Sequence, residues 1–227
     1  MNILAIETAT QVCAVALVNG DEFIGEYRLN IKNIHVRTLC EAIDRLLSDA
    51  NVVVEQLDGI AVSIGPGSFT GLRIGLSTAK GLALAQNTAL VTVATLDALA
   101  LQAPVEKGSI CALLRARADE HYCALYHRTN FTDIPLEPAA ILKTDELEDY
   151  IPDDTMVIGN IPQSFRAKAA KKVQFAPLHL CYADAYSIAR LGLKALLQGD
   201  TADIDTAEPL YMQEFIAGKR GADKAQR

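Results

Sequence analysis

GPGSFTGLRIGLSTAKGLALA, residues 65–85, follows the apolar run 60–64 and decides how the rest of the chain is read. Two glycines around Pro66 let backbone amides converge where a helix begins, and the positive end of a helix dipole favours an anion. The stretch is not a Walker loop: three residues separate Gly67 from Gly71, and Leu72 and Arg73 stand where that motif needs Lys and Ser or Thr. A tight strand-to-helix turn is the reading Gly-Pro-Gly favours, since that tripeptide marks turns generally. In the helix expected over 69–85, Gly71, Gly75 and Ala79 recur every fourth residue, with Thr78 and Gly81 beside them and Leu72, Ile74, Leu76 and Leu82 supplying bulk elsewhere. Each interior glycine costs about 1 kcal/mol of helix stability relative to alanine. A smooth strip offsets that cost by letting another backbone come close, either this chain's own sheet or a helix of a partner.

Working outward, alternation predicts strands over 3–6, 12–18 and 23–29, the last two joined by an Asn19-Gly20 turn, so the chain opens as a three-stranded meander. Val36, Leu39, Cys40, Ile43, Leu46 and Leu47 fall at helical spacing opposite Arg37, Glu41, Asp44 and Arg45, and Glu41 is placed to pair with Arg45. A strand over 90–93 and a helix from Thr95 to 103 follow. After Pro104 the pattern begins again, with strands over 110–114, 121–126 and 156–158 and helices over 146–150, 164–172 and 186–197. The expected architecture is α/β in two lobes, residues 1–104 and 105–227, with the closing helix returning to the first lobe. The Gly-, Ala- and Lys/Arg-containing tail 218–227 is expected to fray.

A chain of 227 residues that is half hydrophobic and 22% charged describes a folded protein, and no apolar run nears the roughly 20 residues a membrane helix needs. The start MNILAIETAT has no basic n-region, which argues against a secretory signal. Five cysteines, an odd number set among apolar neighbours, suit buried thiols in a reducing compartment, so the expected location is the cytoplasm. A net charge of −7 gives phosphates no attraction on average.

Few residues suggest chemistry. Glu7, Thr8 and Thr10 follow the first strand, where ATP-binding folds of this pattern hold phosphates on glycine-rich backbone, yet no glycine occurs between Met1 and Gly20. A polar turn satisfied by its own hydroxyls fits as well. His121, Cys123 and His127 would share one face of a strand, but zinc sites show closer paired spacings. Ser68 lacks a GxSxG elbow and an identifiable base, His35 reads as a surface or capping residue, and His179 lies in a proline-containing loop.

The segments ILAIETAT, CAVAL and GPGSFTGLRIGLSTAKGLALA together resemble the TsaB (YeaZ) family over most of the chain. The family's Asp-Ala-Arg-x-Gly-Glu-x-Tyr segment is matched by residues 115–122, with Arg115 for Asp and Asp119 for Gly. Its terminal Pro-x-Tyr-x-Arg is matched by Pro209, Tyr211 and Gln213, with Gln213 for Arg, and Glu7 replaces the usual Asp. The resemblance implies an actin-like (ASKHA) two-lobed fold. It further implies a non-catalytic, cofactor-free subunit in the formation of N6-threonylcarbamoyladenosine at position 37 of tRNAs reading ANN codons. Such a subunit binds the transferase paralogue TsaD and the ATPase TsaE, pairs with itself when TsaD is absent, and meets tRNA only within the complex. The docking face would be helices 35–50 and 69–85, through His35, Leu39, Ile43, Phe69, Gly71, Leu72, Arg73, Gly75, Leu76, Thr78, Ala79 and Lys80. An ATP-using phosphotransferase of the same fold and a glycoprotease-like peptidase remain as alternatives.

Overall fold

The computed structural model describes residues 1–129 and 132–212, apart from the side chains of 132 and 133; the expected fraying of 218–227 and Gln213 lie outside the described residues. The chain opens with β1 (Asn2–Glu7), β2 (Val12–Asn19) and β3 (Glu22–Asn30), an antiparallel meander. The turn between β2 and β3 sits one residue later than the Asn-Gly pair suggests: Asn19 still pairs with Glu22, and Gly20, at φ 57°, opens a Gly20-Asp21 turn. Helix α1 (His35–Asp49) leads through a short 3₁₀ turn to β4 (Gly59–Gly65), α2 (Phe69–Gln86) and β5 (Ala89–Ala94). The sheet order is β3-β2-β1-β4-β5, with β4 and β5 parallel to β1.

Alternation along these strands sends Leu4, Ile6, Val15, Leu17, Ile60 and Val62 to one face, where Leu39, Ile43, Leu46 and Leu47 of α1 meet Leu76, Ala79 and Ala83 of α2. Ile3, Ala5, Ala14, Ala16 and Ala61 face the other way, onto α6 (Ala185–Leu197). The small residues there admit α6 so closely that a Cβ on Gly192 would lie 2.4 Å from that of Ala61. Both α1 and α2 therefore lie on one side of the first sheet and leave their far sides to solvent.

Helix α3 (Thr95–Leu101) joins this unit to the second. Its residue Ala98 packs with α6, while Leu96, Leu99 and Ala100 pack on the next sheet. Thr95 does not cap it: Ala94 holds the cap position, Thr95 Oγ1 has no hydrogen-bond partner, and the helix stops at Leu101 rather than 103. The buried Arg128 guanidinium instead closes its C-terminal end, donating to the carbonyls of Ala100, Ala103 and Val105 at 2.7–2.9 Å. The second sheet contains β6 (Gly108–Arg115), β7 (Glu120–Thr129), β8 (Thr132–Pro135), β9 (Ala140–Lys143), β10 (Met156–Gly159) and β11 (Gln174–Phe175), with α4 (Leu147–Tyr150) and α5 (Gln163–Ala169) outside it. Strands β8, β9 and β11 have two to four residues, too few to show a period. Among the described residues no helix is long and apolar enough to cross a membrane.

Beyond α6 the chain returns along the first unit. Ala202 N donates to Leu90 O at 2.8 Å, and Leu210 N donates to Ile64 O at 2.7 Å. This C-terminal segment lies over Gly65, whose φ of 117° suits only glycine and whose added Cβ would come within 2.8 Å of Leu210 O.

Candidate functional site

The glycine strip of α2 is consumed inside the chain. Ser68 caps the helix, accepting from Gly71 N at 3.2 Å. The preceding turn then clamps onto the β1–β2 loop: Ser68 N donates to Ala9 O at 2.6 Å, and Thr8 Oγ1 donates to Gly71 O at 2.9 Å. An added Cβ would lie 2.2 Å from Ala9 O at Gly67, 2.1 Å from Thr8 O at Gly71 and 2.2 Å from Thr8 Oγ1 at Gly75. The backbone that approaches the strip is this chain's own first loop.

Most of the expected docking residues are engaged within the chain itself. Leu39 and Ile43 on α1, and Gly71, Leu72, Gly75, Leu76 and Ala79 on α2, are all buried in the chain's own packing. His35 is also buried, with Nε2 3.0 Å from Val12 O, and it neither caps α1 nor faces solvent. Thr78 is half-buried and donates back to Ile74 O at 2.9 Å. Phe69, Arg73 and Lys80 are held by the returning C-terminal segment. Arg73 lies over the Phe69 ring at 3.9 Å and donates to Tyr211 Oη at 3.0 Å; Phe69 stacks against Tyr211 at 5.3 Å; Lys80 Nζ donates to Asp205 O at 3.4 Å. The expected Glu41–Arg45 pair is absent as well, since Arg45 turns to Asp49 at 3.9 Å and to the Tyr27 ring.

What the two helices do offer is their outer face. On α2 it carries Arg73, Ser77, Gly81, Leu84 and Ala85, and on α1 Val36, Arg37, Cys40, Glu41 and Asp44. Val36 and Leu84 are 78% and 72% exposed, and Gly81 would meet nothing within 4 Å if it gained a Cβ. Val36 and Cys40, read from spacing as part of the core stripe, point outward.

Beside this face a cleft of about 1460 Å³ separates the two units. Its first-unit wall includes the Ala9–Gln11 backbone and Lys32, and its far wall Arg115, His121, Asn160 and Arg166. His121 does not assemble a metal site with Cys123 and His127. Its Nε2 lies 3.0 Å from Thr144 Oγ1, Cys123 Sγ lies 3.3 Å from Cys111 Sγ in the core, and His127 is exposed. Desolvation, set against the Asp119 charge, lowers the His121 pKa. Glu7 is fully buried below the first loop. Its Oε1 accepts from Ala9 N at 2.7 Å, its Oε2 is unpartnered, and burial pushes its carboxyl up to about 7.

The family model for TsaD, tRNA N6-adenosine threonylcarbamoyltransferase, matches residues 30–210. The tRNA threonylcarbamoyladenosine biosynthesis protein TsaB of Escherichia coli is 28% identical, with 97% of this chain and 98% of that protein covered. The TsaB protein of Bacillus subtilis is 30% identical over 74% of this chain and 67% of its own length. The chain belongs to the TsaB (YeaZ) family. The solved structure of YeaZ from Pseudomonas aeruginosa superposes with a TM-score of 0.78 at 25% identity, covering 93% of this TsaB-family chain and 99% of that one.

The fold is actin-like, of the ASKHA type, and in that class it also resembles the activator of the 2-hydroxyisocaproyl-CoA dehydratase from Clostridium difficile with bound ADPNP. The TM-score there is 0.51 at 7% identity, over 88% of this chain and 97% of that one. The first loop of this TsaB-family member satisfies its amides within the chain. The amides of Ala9 and Thr10 turn to the Glu7 carboxylate, Thr8 N to Ser63 Oγ and Val12 N to Thr10 Oγ1. The Gly67–Gly71 backbone packs against this loop, and an ionised Glu7 below it would disfavour an anion there. Two features escaped the sequence reading. The Phe69–Arg73–Tyr211 clasp was signalled by the Pro209-x-Tyr211 match, whereas the cleft cations come from three distant segments without a shared spacing.

Proposed function

We propose that this chain is a non-catalytic, activating subunit of the assembly that forms N6-threonylcarbamoyladenosine at position 37 of tRNAs reading ANN codons. It docks on a TsaD-like transferase through the outer faces of α1 and α2, works with a TsaE-like ATPase, forms a homodimer through the same face when the transferase is absent, and meets tRNA only within the complex. One observation carries the docking reading. Gly81 sits in an exposed helix interior, where glycine costs about 1 kcal/mol, and among the described residues nothing approaches within 4 Å of a Cβ placed there. Its neighbours Ser77 and Ala85 are small, and exposed Leu84 and Val36 flank the surface, a composition suited to helices in close contact. Because one family model describes both this chain and the transferase, the partner has counterparts of α1 and α2, and two such pairs would form a four-helix contact. The phosphate loop closed on itself supports the non-catalytic role.

Co-purification of the transferase with tagged Val36→Glu and Leu84→Glu variants tests the reading. Both variants are expected to keep a native melting profile and to lose the transferase; undiminished capture by both would refute the docking face.

A further inference from the structure

Chain-average charge conceals a local reversal. The chain carries −7 overall, yet the cleft lining includes Lys32 from the β3–α1 connection, Arg115 at the end of β6 and Arg166 on α5. Among the described residues that line it, Asp119 is the one carboxylate, and it accepts from Thr144 Oγ1 at 2.5 Å. Arg166 is held by an aromatic ring, and Arg115 is anchored through its backbone. Arg166 lies over the Phe175 ring at 4.5 Å, and the backbone N of Arg115 donates to Asn160 Oδ1 at 3.3 Å, fixing that amide at the lip. The partly exposed Tyr182 lines the same cleft.

We propose that this cleft holds a single-stranded segment of RNA, its phosphates on Lys32, Arg115 and Arg166 and a base on Tyr182. Three features favour a strand over a small anion. The volume exceeds the roughly 300–1,000 Å³ of small-molecule sites. The cations come from both units that line the cleft. A cationic track beside an aromatic ring is how single strands are held without sequence readout. The closed first loop leaves the cleft's own cations, not loop amides, to meet phosphate. The choice of RNA rests on the reading of the chain as a tRNA-modification subunit. The overall negative charge makes this a subsidiary grip, too weak to hold intact tRNA outside the complex but open to a short strand offered to the isolated chain.

Fluorescence anisotropy of the full chain with a labelled single-stranded RNA of about 12 nucleotides tests the proposal. Three phosphate contacts predict a slope of log K against log salt of about −2, so binding weakens about 16-fold between about 50 and about 200 mM salt. Arg115→Glu with Arg166→Glu is expected to weaken binding at least about tenfold, and Tyr182→Ala about tenfold. Should the double variant fail to fold by circular dichroism, Lys32→Glu on the exposed connection replaces it, with about fivefold weakening expected. Absence of binding at about 50 mM salt, or binding indifferent to these variants, overturns the proposal. So does displacement of the RNA by inorganic phosphate or by an acidic peptide at equal concentration, which would point to a small-anion site or a protein ligand. Capture of the transferase by the double variant keeps the two readings apart: retained capture with lost RNA binding is expected, and failure of RNA binding alone leaves the docking face standing.

Discussion

Helix α2 carries glycines on two faces, and they answer different demands. Gly71 and Gly75 face inward, where Thr8 comes within a distance no Cβ would tolerate. Gly81 faces outward over open space. The inward pair is explained by this chain alone: it lets the β4–α2 turn lock onto the β1–β2 loop. The outward glycine has no such explanation and weakens an exposed helix, which is the reason to look for a second molecule there. Regular spacing of small residues in a sequence thus joins two unrelated surfaces, and only the neighbours of each glycine separate them.

The sharpest way to break the comparison is on the inward side. Gly71→Ala places a Cβ against backbone Thr8 O, which has little room to yield, and should cost about 3 kcal/mol in urea denaturation; a change within about 0.5 kcal/mol would show that the loop is not locked. The closed loop also predicts a pH signature of similar size. Glu7 titrates near 7 in the folded chain against 4.5 as its ordinary value, so the folded state holds a proton that the unfolded state has released. The resulting stabilisation is full below about pH 4.5 and is lost as pH rises through about 7, a total of about 3 kcal/mol. Glu7→Gln should flatten this decline, leaving the smaller slope from Asp184 and Glu26, whose carboxyls burial also pushes up. An unchanged slope in the variant would count against a buried Glu7. On the outward side, Gly81→Ala should raise stability by about 1 kcal/mol, the opposite sign to Gly71→Ala. Smallest of all, Arg73→Ala removes the partner of Phe69 and Tyr211 and should cost about 0.5–1 kcal/mol, read as earlier proteolysis of the C-terminal segment.

Much of the fold was legible because its signals are local. The meander, α1, α2 and α6 each span enough residues to show a period, and their bounds in the structure lie within a residue or two of the spacing. The short strands β8, β9 and β11 were not, since so few residues carry no periodicity. The docking face was only half legible. Sequence periodicity located the helices but could not orient them: Leu39, Ile43, Gly75 and Ala79 are buried in this chain's own packing, while Val36 and Cys40 of the expected core stripe point outward. His35 was misread because its acceptor, Val12 O, lies on a strand far from it in sequence. The cleft was hidden for the same reason, with its cations drawn from three separate segments of an acidic chain.

The outer-face account is tested most directly by Gly81→Leu, measured twice: by thermal melting of the isolated chain and by calorimetric titration with the purified transferase. The account predicts a melting temperature equal to or above that of the parent chain together with at least about tenfold weaker association, since a bulky side chain at a close helix contact costs 1 kcal/mol or more, roughly. Full affinity in a chain that melts normally would contradict it.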